Sequence, residues 1–147
     1  MKFSSLVPAL FLGALLAGSA DAKSRNVTDP DAPPSLPAEG PVDVSWTDPA
    51  QFSEIRQSGN RWEARRGDWV EQLAKYLRKR ATPDLSQGER LDVTFTDIKR
   101  AGQYEPWRGP NLQDARIVRE IYPPRVSLTF KHTDAQHQQY ESHHAAD

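Results

Sequence analysis

A long connection over residues 99–114, built on Gly102, Pro106, Gly109 and Pro110, crowds Glu105, Trp107, Arg108, Asp114 and, at its exit, Arg116 into one stretch. An indole offers contact area and neighbouring charges fix orientation, which is the combination a recognition surface uses. The connection is also longer than most, and long loops tend to carry function. The competing reading is a loop pinned to the body by Trp107 with its charges in water. Tyr122, just before Pro123 and Pro124, and Arg125, just after them, extend the candidate surface. The two prolines have a structural use of their own: each removes a ladder donor and fixes φ, so they separate two strands or bend one at a sheet edge.

Acid–base chemistry has one candidate pair. Asp97 continues the phase of Leu91, Val93 and Phe95 toward the interior and could approach Glu105 across the turn, with Arg66 or Arg116 as electrostatic partner. Asp97 serves equally well as a cap at a strand end. Arg66 falls inside the apolar arc of a helix, where its stem lies along the apolar surface or its head meets Asp97. Nothing in these spacings demands a hydrolase: there is no cysteine, no G-x-S-x-G, no H-E-x-x-H, no glycine-rich phosphate loop and no histidine before His132. His132, His137, His143 and His144, with Asp134 and Glu141, carry donors suited to zinc, nickel or copper(II), but their spacing matches no closed site. No catalytic residue, metal or other cofactor is assigned.

These residues need elements to position them. Val42, Val44 and Trp46 alternate with polar residues as a half-buried strand does. Asp48-Pro49-Ala50-Gln51 then supplies a cap, a proline at the first helical position and a glutamine three residues on, opening a short helix through Ile55. Asn60 opens a second helix of about 20 residues, on which Trp62, Trp69, Leu73, Tyr76 and Leu77 share one arc with Val70 at its edge. Thr82-Pro83 ends it. Leu91 to Thr96, Ala115 to Ile121 and Arg125 to Phe130 read as three further strands. The eight basic against three acidic residues between Arg56 and Arg80 are explained largely by Arg78, Lys79 and Arg80 in the last helical turn, where the macrodipole favours cations. Weak attraction to envelope phosphates is the alternative.

The chain has 147 residues, no cysteine and a net charge of −1. Lys2 followed by the apolar run Leu6 to Leu16 and by Ala20-Asp21-Ala22 has the form of a cleavable secretory signal over residues 1–22. Export without cysteine favours the bacterial periplasm and a domain stabilised by a core. Near-zero charge argues against capture of nucleic acid, and after signal cleavage no apolar run is left to span a membrane. Residues 23–41 carry five prolines and few large apolar side chains, so they read as a disordered, solvated linker. The domain is expected over 42–131, with a polar, disordered tail over 132–147.

"FTDIKRAGQYEPWRG" (95–109) followed by "ARIVREIYPPRVSLTF" (115–130) resembles the bacterial exported family called Domain of Unknown Function 3016, over about Val42 to Phe130. The resemblance implies an envelope protein of Gram-negative bacteria with no established activity, and it carries over no catalytic residue. It also implies a turn, another strand and a closing segment after Phe130, whereas the polar tail here departs from that pattern; a lost strand would leave an edge open to another chain. The combined reading is an α+β domain: a small, largely antiparallel sheet of about four strands with one long amphipathic helix on one face. It is expected to act in the periplasm as a binding or interaction module, with a small carboxylate-based hydrolase acting on envelope material as the alternative and weak metal binding by the His-rich tail as a further one. Arg66, Asp97, Glu105, Trp107, Arg108, Arg116, Tyr122 and Arg125 are the candidate binding residues for an envelope protein or ligand whose identity, like the oligomeric state, does not follow from the residues.

Overall fold

Alternation in the first strand has the expected outcome: in β1 (Val42–Trp46), Val42 and Val44 are buried and Trp46 packs against the same core. A computed structural model describes residues 25–146; the expected signal over 1–22 lies outside them. Asp48 accepts from the Ala50 amide at 2.9 Å and Asn60 from the Glu63 amide at 3.1 Å, so both anticipated caps form. They start a helical crossover made of α1 (Ser53–Arg56), α2 (Arg61–Arg65) and α3 (Trp69–Ala81). The crossover carries the chain from the far end of β1 back to the end of the sheet where β1 begins. β2 (Arg90–Lys99) therefore lies parallel to β1. β5 (Arg125–Thr133) and β6 (Gln139–Ala146) follow antiparallel, giving the order β1-β2-β5-β6. The fold is α+β as expected, and the four-stranded sheet is mixed: β1 and β2 pair parallel, while β2–β5 and β5–β6 pair antiparallel. Among the described residues no helix is long and apolar enough to cross a membrane.

The expected 20-residue helix is two helices. Gly67 has φ +90°, a left-handed conformation open to glycine, and its amide is bonded at 2.8 Å to the carbonyl of Arg25. This break turns Trp62 out to solvent, 65% exposed, while Trp69 stays against the core and bonds the Ala64 carbonyl through its indole N–H at 3.0 Å. On α3 the buried face centres on Val70 and Ala74, flanked by Trp69, Leu73 and Leu77, and Tyr76 is exposed. Burying a side chain such as Val70 contributes about 1.5–3 kcal/mol.

Two segments expected to be disordered are ordered parts of the fold. Within the proline-rich stretch, Val27 bonds the Arg65 carbonyl, Leu36 bonds the Val44 carbonyl, and Pro34 accepts from the Trp46 amide. The stretch is a strap that covers the outer edge of β1, and Leu36 is buried among Val42, Val44 and Phe52. The prolines misled because composition alone does not reveal a single well-placed leucine. At the other end, the Asp134 carboxylate accepts from the amides of Gln136 and Gln138, with His137 at φ 65°. That closes a turn into β6, so the polar tail is a strand.

The third expected strand shrinks to β4 (Arg116–Ile117), which pairs with β3 (Gln103–Tyr104) in a separate two-stranded ribbon. Val118 and Ile121 have no neighbouring strand and are exposed. Pro123 and Pro124 lead directly into β5, so they do separate two strands.

If the strap is integral, Leu36→Ala should lower unfolding free energy by about 2–4 kcal/mol in a urea titration. A change below about 0.5 kcal/mol, as expected of a surface position, would restore the tether reading.

Candidate functional site

Two glutamates dominate the polar interior, and the sequence had singled out one of them. Glu54, in the single turn of α1, has a side chain only 3% exposed. Its Oε2 accepts from the Arg100 amide at 2.9 Å; its Oε1 accepts from the Arg100 guanidinium at 2.9 Å and is in close contact with Arg116 Nη2. Arg100 follows β2 and its guanidinium stacks over Trp69 at 4.6 Å; Arg116 in β4 stacks over Tyr104 at 4.7 Å and bonds the carbonyls of Ala101 and Gly102. A buried carboxylate is tolerated when guanidiniums neutralise it and its lone pairs are filled. This cluster ties α1, the end of β2 and the ribbon together.

Glu105, 2% exposed, is the second centre. It follows β3 directly, where the chain turns at Pro106–Arg108. Its Oε1 accepts the Tyr122 hydroxyl proton at 2.8 Å. Its Oε2 lies in close ion-pair contact with Arg108 Nε and 3.4 Å from Arg119 Nη2. Neither guanidinium is aligned as a hydrogen-bond donor to Oε2, so this oxygen is held by charge rather than by directed bonds. Gly102 permits the return of the loop: at φ +82° it donates its amide to the Tyr122 carbonyl at 3.0 Å, and a Cβ there would meet the Ile117 carbonyl oxygen at 2.8 Å. Glu105 thus closes the loop 105–122 from both ends.

Of the residues singled out in the sequence, the structure gathers Glu105, Trp107, Arg108 and Tyr122. Arg116 serves Glu54 instead. Asp97 does not face Glu105: the β2 ladder slips between Phe95 and Asp97, Ile98 takes the next core position, and Asp97 turns to Ser53. There it accepts from the Ser53 amide at 2.5 Å and the Ser53 hydroxyl at 2.7 Å; it does not cap a strand end at a turn, as the alternative reading had it, but lies within β2 and holds the start of α1. Arg66 is exposed, neither on an apolar face nor near Asp97; it stacks on Trp62 at 4.8 Å and pairs with Glu63 at 2.8 Å. Arg125 opens β5 opposite Lys99, away from the cluster, and Asp114 accepts from the Asn60 side chain at 2.9 Å. Glu54, Arg100 and Arg119 were missed. Glu54 sits in a helical turn too short to show a period, and a charged residue beside Ile55 gave no signal of burial.

Among the described residues no three of His, Cys, Asp and Glu gather as metal ligands. His143 and His144 are neighbours on β6, opposite Thr129 and Leu128, and adjacent strand residues point to opposite faces.

The hydrogen bond to Glu105 raises the Tyr122 phenol above its ordinary value of 10.0, desolvation adds to this, and Arg108 partly opposes it. The folded protein thus holds this proton more tightly than the unfolded chain. The resulting stabilisation is complete below pH about 10 and is lost as pH rises through the raised pKa. Ultraviolet titration should show one tyrosine ionising later than the rest, and Glu105→Gln should remove that late step; an unchanged titration in the variant contradicts the assignment.

A family model described as "Protein of unknown function (DUF3016)" matches residues 40–145. The match runs through β6, so the polar tail lies within the family's extent and is not a departure from it. The chain matches no curated protein and no solved structure. With most of its length inside that match, the chain belongs to the family of unknown function DUF3016.

Proposed function

We propose that the protein is a non-catalytic binding module of the Gram-negative cell envelope, exported to the periplasm, and that it holds a partner protein on the loop closed by Glu105. The observation that carries this reading is the pairing of exposed apolar side chains with a rigid base. Trp107, Val118 and Ile121 are each about 70% exposed, and their sequence neighbours Arg108, Arg119 and Tyr122 all contact the one Glu105 carboxylate. Three large apolar side chains therefore emerge around a common anchor. Exposed apolar groups of this size mark interaction sites, and a loop already fixed in place loses little conformational freedom on binding. Arg108 and Arg119, about two-fifths exposed, supply the charged rim that interface centres usually have.

The carboxylates favour the same reading. Asp97 and Glu105 each have their oxygens engaged by their own partners, and neither is set to shuttle a proton with the other. The export signal expected over residues 1–22 supports the periplasmic placement.

A photo-reactive phenylalanine analogue replacing Ile121 in intact cells tests the proposal. A discrete protein adduct is expected, reduced at least fivefold by Trp107→Ser, a change of about 1 kcal/mol or more, as for a central interface residue. Adducts no more discrete than those from the same probe at Lys79, on the exposed end of α3, would overturn it.

A further inference from the structure

The two edges of the four-stranded sheet are finished differently. The strap covers the outer edge of β1 through the Leu36–Val44 and Pro34–Trp46 backbone bonds. At the other end of the strand order stands β6, bonded on its inner side to β5 in unbroken register from Val126↔Ala146 to Thr133↔Gln139. Its outer side meets no strand among the described residues, and every residue from Gln139 to Ala145 is exposed. Such an edge turns the amide and carbonyl of every second residue outward, ready for another chain, unless proline, lysine or a bulge blunts it. β6 has none of the three.

The face beside this edge is also unfinished. The helices pack on β1 and β2. The cross-strand rows Val93–Phe130–Ser142 and Phe95–Leu128–His144 therefore run from buried core residues to half-buried ones on β5 and exposed ones on β6. Tyr140, in the next row, is 54% exposed.

A second copy of the chain fits here. A two-fold axis normal to the sheet sets β6 antiparallel to itself and keeps each face on its own side, so paired positions must both be odd or both be even. The registers centred on Ser142 (139–145) and on His143 (140–146) use most of the strand. Centring on His143 sets two imidazoles against each other and Glu141 against the partner's Ala145. Centring on Ser142 sets Glu141 against the partner's His143 and Tyr140 against the partner's His144, each twice by symmetry. An imidazole N–H can donate to a carboxylate whether or not the ring is charged. Within its own chain Glu141 makes no ion pair among the described residues, and it shares Lys131 with Asp92 in one cross-strand row. On the other face, Tyr140 and the partner's His144 repeat between chains the stacking of Tyr140 on His132 within one, at 6.4 Å. We infer that the protein forms a two-fold dimer through β6, its sheet running through both copies in the register centred on Ser142. No residue of the Glu105 loop takes part, so neither assignment depends on the other.

Sedimentation equilibrium of the full chain tests the association, and cysteine cross-linking tests the register, since the chain has no cysteine of its own. A reversible monomer–dimer equilibrium is expected. His143→Glu, which sets like charges opposite each other, should weaken it at least about fivefold, and adding Glu141→Lys should recover it to within about twofold. Cα atoms directly opposite in an antiparallel pair are about 4.5–5.5 Å apart, within disulfide reach. Under mild oxidation Ser142→Cys should therefore link two chains at least about tenfold faster than Tyr140→Cys or His144→Cys, because of these three only position 142 faces its own copy. A chain that stays monomeric up to about 1 mM, leaving the edge to a strand of another protein, would overturn the assignment. Equal linking rates at the three positions, or no recovery in the charge swap, would overturn it too.

Discussion

A carboxylate sealed from water sets the terms for this fold. Glu54 is carried by a helix of only four residues, an element with almost no stability of its own, and it is tolerable in the interior because Arg100 and Arg116 meet it there. The dependence runs both ways. Each arginine buries part of its own head, and each is backed by an aromatic ring, Trp69 for Arg100 and Tyr104 for Arg116. Removing one partner of such a set leaves a buried charge uncompensated, at a typical cost of about 3–5 kcal/mol. The cluster joins pieces far apart in the chain: the crossover helices, the end of the longest strand and the small ribbon.

The ribbon is the base of the loop, and the same device appears again at its tip. Glu105 is as buried as Glu54, and it collects Arg108, Arg119 and Tyr122 from both arms of the loop. Two buried carboxylates in series thus hold rigid a connection that has no regular structure between its ribbon strands beyond one turn at Pro106–Arg108. Trp107, Val118 and Ile121 stand out from this frame into solvent. Burying them would lower the free energy of the isolated domain, so their exposure is what a surface kept for a partner would show. The strap follows a different logic, with backbone bonds at its two ends and proline stiffness between.

Much of the architecture was legible in residue patterns. Alternation at Val42, Val44 and Trp46 and at Leu91, Val93 and Phe95 is a local property, and it located β1 and β2, the parallel pair of the sheet. The caps at Asp48 and Asn60 were legible for the same reason. What escaped notice depends on contacts distant in sequence. Gly67 broke the long helix because Arg25, far away in the chain, takes its amide. A slip in the ladder after Phe95 moved Asp97 out of the interior phase, and no residue type announces such a slip. The strand β6 looked like a polar tail because it is exposed from Gln139 to Ala145 and its partner β5 is only half-buried from Val126 on, so its position in the sheet asks for little apolar alternation. Within the candidate site, Glu105, Trp107, Arg108 and Tyr122 were found through crowding in one loop. Glu54, the residue that makes the loop's base possible, sits in a segment with nothing to distinguish it from a surface turn.

A thermodynamic double-mutant cycle between Glu54→Gln and Arg116→Gln, read by urea unfolding, tests the central dependence most directly. If the buried carboxylate and this guanidinium hold the ribbon to the crossover, the coupling energy should be at least about 1.5 kcal/mol, within the range found for residues sharing a network. Additivity to within about 0.3 kcal/mol, as seen for independent sites, would contradict the account.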